Sequence, residues 1–344
     1  MIEDWEERSV NHGEVAMDTP ESGQLLSPQS SVLSPFANPL RRSRPLKVGV
    51  FLPATEREMA GGSARWSELA AMAKRAEELG FDSIWIEDHL IFRFEGKPPQ
   101  APWECWSLLA ALAAVTTRVE LGPLVSCTSF RNPALLAKMA DTVDEISGGR
   151  LILGLGAGWH EPEYPAFGYP FDHRVSRFEE ALTIVHGLLR QGQVDFEGVY
   201  YSAHECELRP RGPRPSGPPI LIGSTGERML RLLATYGDIW NVWARTTTAE
   251  IAADRAKVDA ACAAIGRDPA TLGRTLCLHI DLPDCVGRPS EPLPALSIAS
   301  PEHLAETLRA FAAEGIDHVQ LWIDPNSIAG LEWVAPALEL LDQG

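Results

Sequence analysis

The sequence predicts a single (β/α)8 barrel domain over residues 46–344, on three observations. Short runs rich in branched and aromatic residues recur eight times from Lys47 onward. Between them lie stretches with apolar residues at three- and four-residue spacing, the mark of an amphipathic helix. The runs themselves are almost continuously apolar, as expected when both faces of a parallel sheet are buried. A doubly wound open sheet satisfies the same alternation and stands as the competing architecture, because strand count alone does not establish closure.

The predicted strands are 47–52, 83–87, 119–125, 150–156, 220–223, 238–242, 275–282 and 318–323. Helical spacing is clearest in Leu69, Ala73, Ala76, Leu79 and in Phe178, Leu182, Val185, Leu189. Asn132-Pro133 and Ser300-Pro301 each supply a capping side chain followed by a first-turn proline. Gly80, Gly148, Gly237, Gly266 and Gly315 stand where left-handed helix caps are expected. One connection is longer than the rest. Residues 191–219 alternate like a hairpin through VDFEGVYYSAHECEL and continue as RPRGPRPSGPP, which predicts an insertion before the fifth strand. Residues 1–45 are rich in Ser, Pro and Glu, lack apolar periodicity and end in Arg41, Arg42 and Arg44. They predict a disordered tail whose basic cluster is either a solvated linker or a short interaction motif.

Of the 344 residues 45% are hydrophobic and 22% charged, enough to bury a genuine core and to exclude wholesale disorder. A formal charge of −17 argues against nucleic acid or an acidic membrane as partner, since basic patches carry affinity for both. The longest apolar run, 108–115, is far short of the roughly 20 residues that cross a bilayer. The N-terminus, MIEDWEERSV, has no signal-peptide character. Six cysteines with no C-x-x-C pair fit a reducing compartment, so a cytoplasmic protein is expected. No metal is expected: His160-Glu161 lacks the second histidine of H-E-x-x-H, and His204 with Cys206 offers two ligands only.

In a barrel the chemistry gathers where the strands end. Glu87, Asp88 and His89 follow the second strand. His89 there reads either as a proton-exchanging group beside a carboxylate or as a ring packed on the barrel top next to a turn-capping Asp88. The third strand runs into GPLVSCTSFRNP, which suits either close approach of backbone to a flat ligand or a plain turn. After the fourth strand, Gly154, Gly156 and Gly158 resemble a dinucleotide fingerprint, but Trp159 occupies its last position and no acidic residue ends a following strand. After the fifth, Gly223, Ser224, Thr225 and Gly226 lead into a helix. They form an anion site or an ordinary helix start.

In order and spacing, KVGVFLP, ELGFDSIWIEDHL, TTRVELGPLVSCTSFRNPALLAKMADTVDEISGGRLILGLGAGWHEPEYPAFG, RFEEALTIVHGLL, FEGVYY, PPILIGSTGERMLRLLATYGDIWNVW and EGIDHVQLWI resemble the bacterial luciferase-like family, especially its branch of oxidoreductases dependent on the deazaflavin coenzyme F420. The resemblance implies a barrel with a flavin or deazaflavin across the strand ends. It implies Asp88 and His89 beside the ring, with His89 as acid/base, and a non-prolyl cis peptide at Leu124-Val125 supporting the ring next to Ser126. Gly156, Ala157, Gly158, Trp159 and His160 would line the cofactor chain, and Gly223, Ser224, Thr225 and Gly226 would hold its phosphate. The implied activity is hydride transfer between F420 and a small organic substrate. An FMN-dependent monooxygenase and a non-catalytic flavin- or deazaflavin-binding protein are the alternatives, and a homodimer is the implied assembly. Sugar-phosphate dehydrogenases of the family carry a Glu near the position of Trp159 and use lysines for the phosphate, whereas this chain has Trp159 and only Lys47, Lys74, Lys97, Lys138 and Lys257. With Trp85, Trp103, Trp106 and Phe92, Trp159 suggests a hydrophobic substrate, unless these aromatics are core. Arg209, Arg211 and Arg214 are candidates for the anionic tail of F420, or else solvated loop charges.

Overall fold

The computed structural model describes residues 44–56, 58, 62–283 and 294–344. The predicted tail therefore lies outside the described residues except for its end, as does Cys285. From β1 (Lys47–Phe51) the chain alternates through α1 (Trp66–Leu79), β2 (Ser83–Ile86), α2 (Cys105–Val115), β3 (Glu120–Pro123), β4 (Ser126–Cys127), α3 (Pro133–Ser147), β5 (Leu153–Gly156), α4 (Glu163–Phe167) and α5 (Arg174–Gln191). The insertion follows as a hairpin of β6 (Gln193–Glu197) and β7 (Ser202–Glu207), antiparallel to each other. Alternation then resumes with β8 (Ile220–Gly223), α6 (Glu227–Tyr236), β9 (Ile239–Trp243), α7 (Thr248–Ala264), β10 (Gly273–Asp281), β11 (Leu296–Ser297), α8 (Pro301–Ala313), β12 (His318–Asp324) and α9 (Ile328–Asp342).

The main sheet runs β3-β2-β1-β12-β10-β9-β8-β5-β4, with every neighbouring pair parallel. Its two ends are neighbours in sequence: β3 lies within the predicted third strand, 119–125, and β4 just beyond it. The third strand breaks after Pro123, which has no N–H to donate; β3 pairs with β2, and β4 pairs with β5. Leu121 bridges Leu151 in parallel, its N–H 3.1 Å from the Arg150 carbonyl and its own carbonyl 2.9 Å from the Ile152 N–H. The sheet thus comes back on itself as a barrel, and the open-sheet alternative falls. Where β3 approaches β5, a Cβ on Gly122 would overlap the Ile152 carbonyl and one on Gly154 the Pro123 carbonyl. Gly154, the first glycine of the GLGAG run, thus serves barrel closure.

The core has two layers. Leu, Ile, Val and Ala fill the space between strands and helices. Inside the barrel, Phe51, Trp85, Ile152, Leu221, Ile239 and Cys277 pack together with Leu124, Val125 and Trp322 against them. Trp85 and Trp106 are fully or almost fully buried, so these two belong to the core and not to a substrate wall. Caps follow the sequence signals: Asn132 accepts the N–H groups of Ala134 and Leu135, and Ser300 that of His303. Gly80, Gly148, Gly266 and Gly315 take positive φ, but Gly237 has φ −85°; there a Cβ would come 3.0 Å from the Leu233 carbonyl.

Two predicted roles for arginines are corrected. Arg44 is no solvated linker charge: its side chain is 3% exposed and pairs with Asp82 at 3.1 Å and Asp342 at 2.8 Å, tying the start of the barrel to its last helix. Arg214 is spent on buried Asp144 and the Leu151 carbonyl, while Arg211 donates to the carbonyls of Leu189 and Pro215. Leu151 precedes β5, so Arg214 is at the end of the barrel away from the strand C-termini and cannot meet a cofactor there. Arg209 pairs with Glu207 on the hairpin. No helix among the described residues is long and apolar enough to cross a membrane.

Candidate active site

Asp88 and His89 follow β2 and, as consecutive residues of extended chain, turn to different neighbours. Asp88, 2% exposed, faces β4 and α3. Its Oδ2 accepts from the Ser126 hydroxyl at 2.7 Å, the Cys127 N–H at 3.1 Å and Arg131 at 2.6 Å, while Oδ1 accepts the other arm of Arg131 at 2.9 Å. Ser126 in turn accepts from the Trp106 indole at 3.0 Å, and Arg131 reaches Glu104, the cap of α2, at 2.7 Å. Burial works against the Arg131 charge, but the Asp88 carboxylate outweighs it and the guanidinium is held more basic than usual. Asp88 is therefore a strut between β2, β4, α2 and α3. It fixes Ser126 immediately after the Leu124–Val125 peptide, which is cis as expected.

His89 turns to the short helix α4 instead. Its Nδ1 lies 2.9 Å from Glu163 Oε1, and the second oxygen of Glu163 accepts the Leu90 N–H at 2.8 Å. Glu163 is completely buried and the His89 side chain 15% exposed. Burial pulls the imidazole pKa down, yet the Glu163 hydrogen bond and charge, helped by Glu87 and Asp88, overcome this and leave it raised. The carboxylate that holds His89 is thus Glu163 and not the adjacent Asp88. Nε2 has no partner among the described residues, and the imidazole ring packs with Phe92 at 4.5 Å and Trp159 at 5.5 Å between centroids.

The segment after β5 builds the opposite wall. Trp159 is 53% exposed at the rim, while His160 is 4% exposed and accepts the Arg93 N–H at 3.0 Å. Phe92, Phe94, Trp159 and His160 form one aromatic group. Ala157 and Gly158 use their carbonyls on Tyr164 and Arg174, and a Cβ on Gly156 would come 2.5 Å from Val125. The missing side chain lets Val125 of the cis peptide pack directly against β5. Across the mouth, the Ser224 N–H donates to the Asn241 carbonyl and the Gly226 N–H to the Ser224 hydroxyl. Gly226 caps α6 without a side chain, so that helix offers its first N–H groups and dipole to an anion. Among the described residues one trio of metal-ligating type, His279, Asp281 and Asp324, has donor atoms within 4.8 Å of one another at the ends of β10 and β12.

Sequence reasoning missed Glu163, Arg131 and Asn241. Glu163 carries no periodic or motif signal and meets a partner 74 residues away. Arg131 stands next to a recognisable cap, Asn132, which was its only visible mark.

Residues 46–282 match the luciferase-like monooxygenase family, and the chain belongs to that family. It is 34% identical over 174 residues to the 5,10-methylenetetrahydromethanopterin reductase of Archaeoglobus fulgidus, covering 51% of this chain and 48% of that protein. It is likewise 34% identical over 177 residues to the F420-dependent glucose-6-phosphate dehydrogenase of Amycolatopsis mediterranei, covering 50% and 51%. The chain spans about half the length of these curated relatives. In fold it is similar to an F420-dependent secondary alcohol dehydrogenase solved with an F420-acetone adduct, with TM-score 0.73 and 19% identity over 86% of this chain and 99% of that one.

Proposed function

We propose that this protein is an oxidoreductase that moves hydride between coenzyme F420 and a small, hydrophobic organic substrate. The observation that carries this reading is His89, basic and partly exposed, anchored by a buried carboxylate beside the cis peptide at the barrel mouth. The curated relatives, two of which are described above, add support for the deazaflavin over FMN.

The residues present fit such a group. Gly223 leaves room beside Val125 and Asn241, and the uncapped start of α6 with Ser224 and Thr225 suits a phosphate. When bound, F420 supplies the hydride chemistry. The protein then positions and handles the proton. Asp88 and Arg131 keep Ser126 and Cys127 in place as a rigid support. Glu163 accepts a hydrogen bond from the Nδ1–H of His89, which fixes the ring orientation and leaves Nε2 to give or take a proton at the reacting oxygen of the substrate. Phe92 and Trp159 exclude water around that nitrogen and offer an apolar wall, which supports a hydrophobic substrate over a sugar phosphate. In this reading the protein is cytoplasmic and dimeric. Cys105, Cys127, Cys206, Cys262 and Cys277 are free thiols, and exposed Leu135 and Ile146, about three turns apart on one face of α3, suit a second copy.

Equilibrium titration with F420 and with FMN, read by absorbance and fluorescence, tests the cofactor. Low-micromolar or tighter binding of F420 is expected, about −8 kcal/mol. Clear preference for FMN would replace this reading with the monooxygenase.

A further inference from the structure

Beneath the mouth, three polar side chains meet inside the barrel. Asn241 on β9 donates through Nδ2 to Thr275 Oγ1 on β10 at 2.8 Å and to Gln320 Oε1 on β12 at 3.1 Å. The Thr275 hydroxyl passes its only proton to the Trp240 carbonyl at 3.1 Å. It can therefore only accept from Asn241, and this decides which way the Asn241 amide points. Both protons of that amide are spent downward. Its oxygen is left with no hydrogen-bond partner among the described residues.

That oxygen is at the mouth. A Cβ on Gly223, the last residue of β8, would sit 3.6 Å from Asn241 Oδ1 and 3.4 Å from Val125 Cγ1, so the amide oxygen, the cis peptide and the start of the phosphate turn border one space. Gln320, bonded to Asn241 and fully buried, has an Nε2 with no partner among the described residues. Asn241 Oδ1 is an unpartnered acceptor bordering that space, and such a group points to a ligand that completes it.

We propose that Asn241, oriented by Thr275 and Gln320, recognises the imide edge of the bound ring by accepting its N–H. An imide offers one N–H between two carbonyls, and that N–H is the donor an unpartnered amide oxygen would take. This rests on the cofactor reading above, but the imide is common to deazaflavin and FMN, so the inference survives a change of ring.

The test is a binding cycle with F420, FMN and their N3-methyl derivatives, on wild type and Asn241→Ala. Wild type is expected to bind the methylated ring at least about 10-fold more weakly than its parent. Asn241→Ala should bind the parent about 10-fold more weakly and be indifferent to methylation. Thr275→Val, which releases the amide to turn over, should show an intermediate loss, and thermal melting checks that each variant is folded. If wild type binds neither ring, the cofactor reading and this inference both fall. If it binds one of them but Asn241→Ala keeps full affinity, or both proteins lose the same factor on methylation, the inference alone is overturned. Should Asn241→Ala not fold, the wild-type preference and Thr275→Val decide by the same criterion.

Discussion

Replacing His89 by alanine lowers turnover about 10²- to 10⁴-fold, the usual share of a positioned proton-transfer group, and leaves cofactor affinity nearly unchanged. The ring support is built from Asp88, Arg131 and Ser126, none of which bonds to His89, so its loss should leave the support intact. Glu163→Gln is the companion variant. Burial of the imidazole persists, but the negative charge that strengthened the hydrogen bond and favoured the cation is gone, so the His89 pKa falls. The limb of the pH–rate profile that reports His89 then moves to lower pH. A histidine that only packed would show neither effect: His89→Ala would weaken binding, and the profile of Glu163→Gln would coincide with that of wild type.

The second large effect is on stability. Asp88 and Arg131 form a two-armed ion pair with side chains 1% and 10% exposed. Asp88→Asn removes the charge while Arg131 stays buried, and it presents an amide N–H to a guanidinium or to the Cys127 N–H. Breaking a buried pair from one side costs about 3 to 5 kcal/mol, which urea denaturation resolves readily. Cofactor affinity should fall as well, since Ser126 and Cys127 lose their anchor. Stability within about 1 kcal/mol of wild type, combined with a large loss of turnover, would instead return Asp88 to a direct role in the chemistry.

The fold was legible because its signals are local. Strand and helix periods, the Asn132-Pro133 and Ser300-Pro301 starts and the glycine caps each depend on a few consecutive residues, and they agree with one another. Closure was not legible. It depends on Leu121 meeting Leu151 and on glycines at a contact between strands, neither of which has a period. Placement at the barrel mouth was legible where position along a strand determines it, as for His89 after β2 and the turn from Gly223 to Gly226 after β8. Partners were not. Adjacency suggested that Asp88 serves His89, whereas extended chain sends neighbouring side chains apart, and Glu163 arrives from the far side of the mouth. Asn241 was hidden in DIWNVW, where it reads as one residue of an apolar strand.

The most direct test of the central claim follows the visible absorbance of the deazaflavin with oxygen excluded. The protein is mixed with F420 and a panel of apolar secondary and aromatic alcohols, and with reduced F420 and the matching ketones and enones. Oxygen-independent bleaching with an alcohol, or recovery of colour with a ketone or enone, is predicted with F420, while FMN is inert under the same conditions. Turnover that appears only with reduced FMN, consumes oxygen and leaves F420 unchanged would contradict the account.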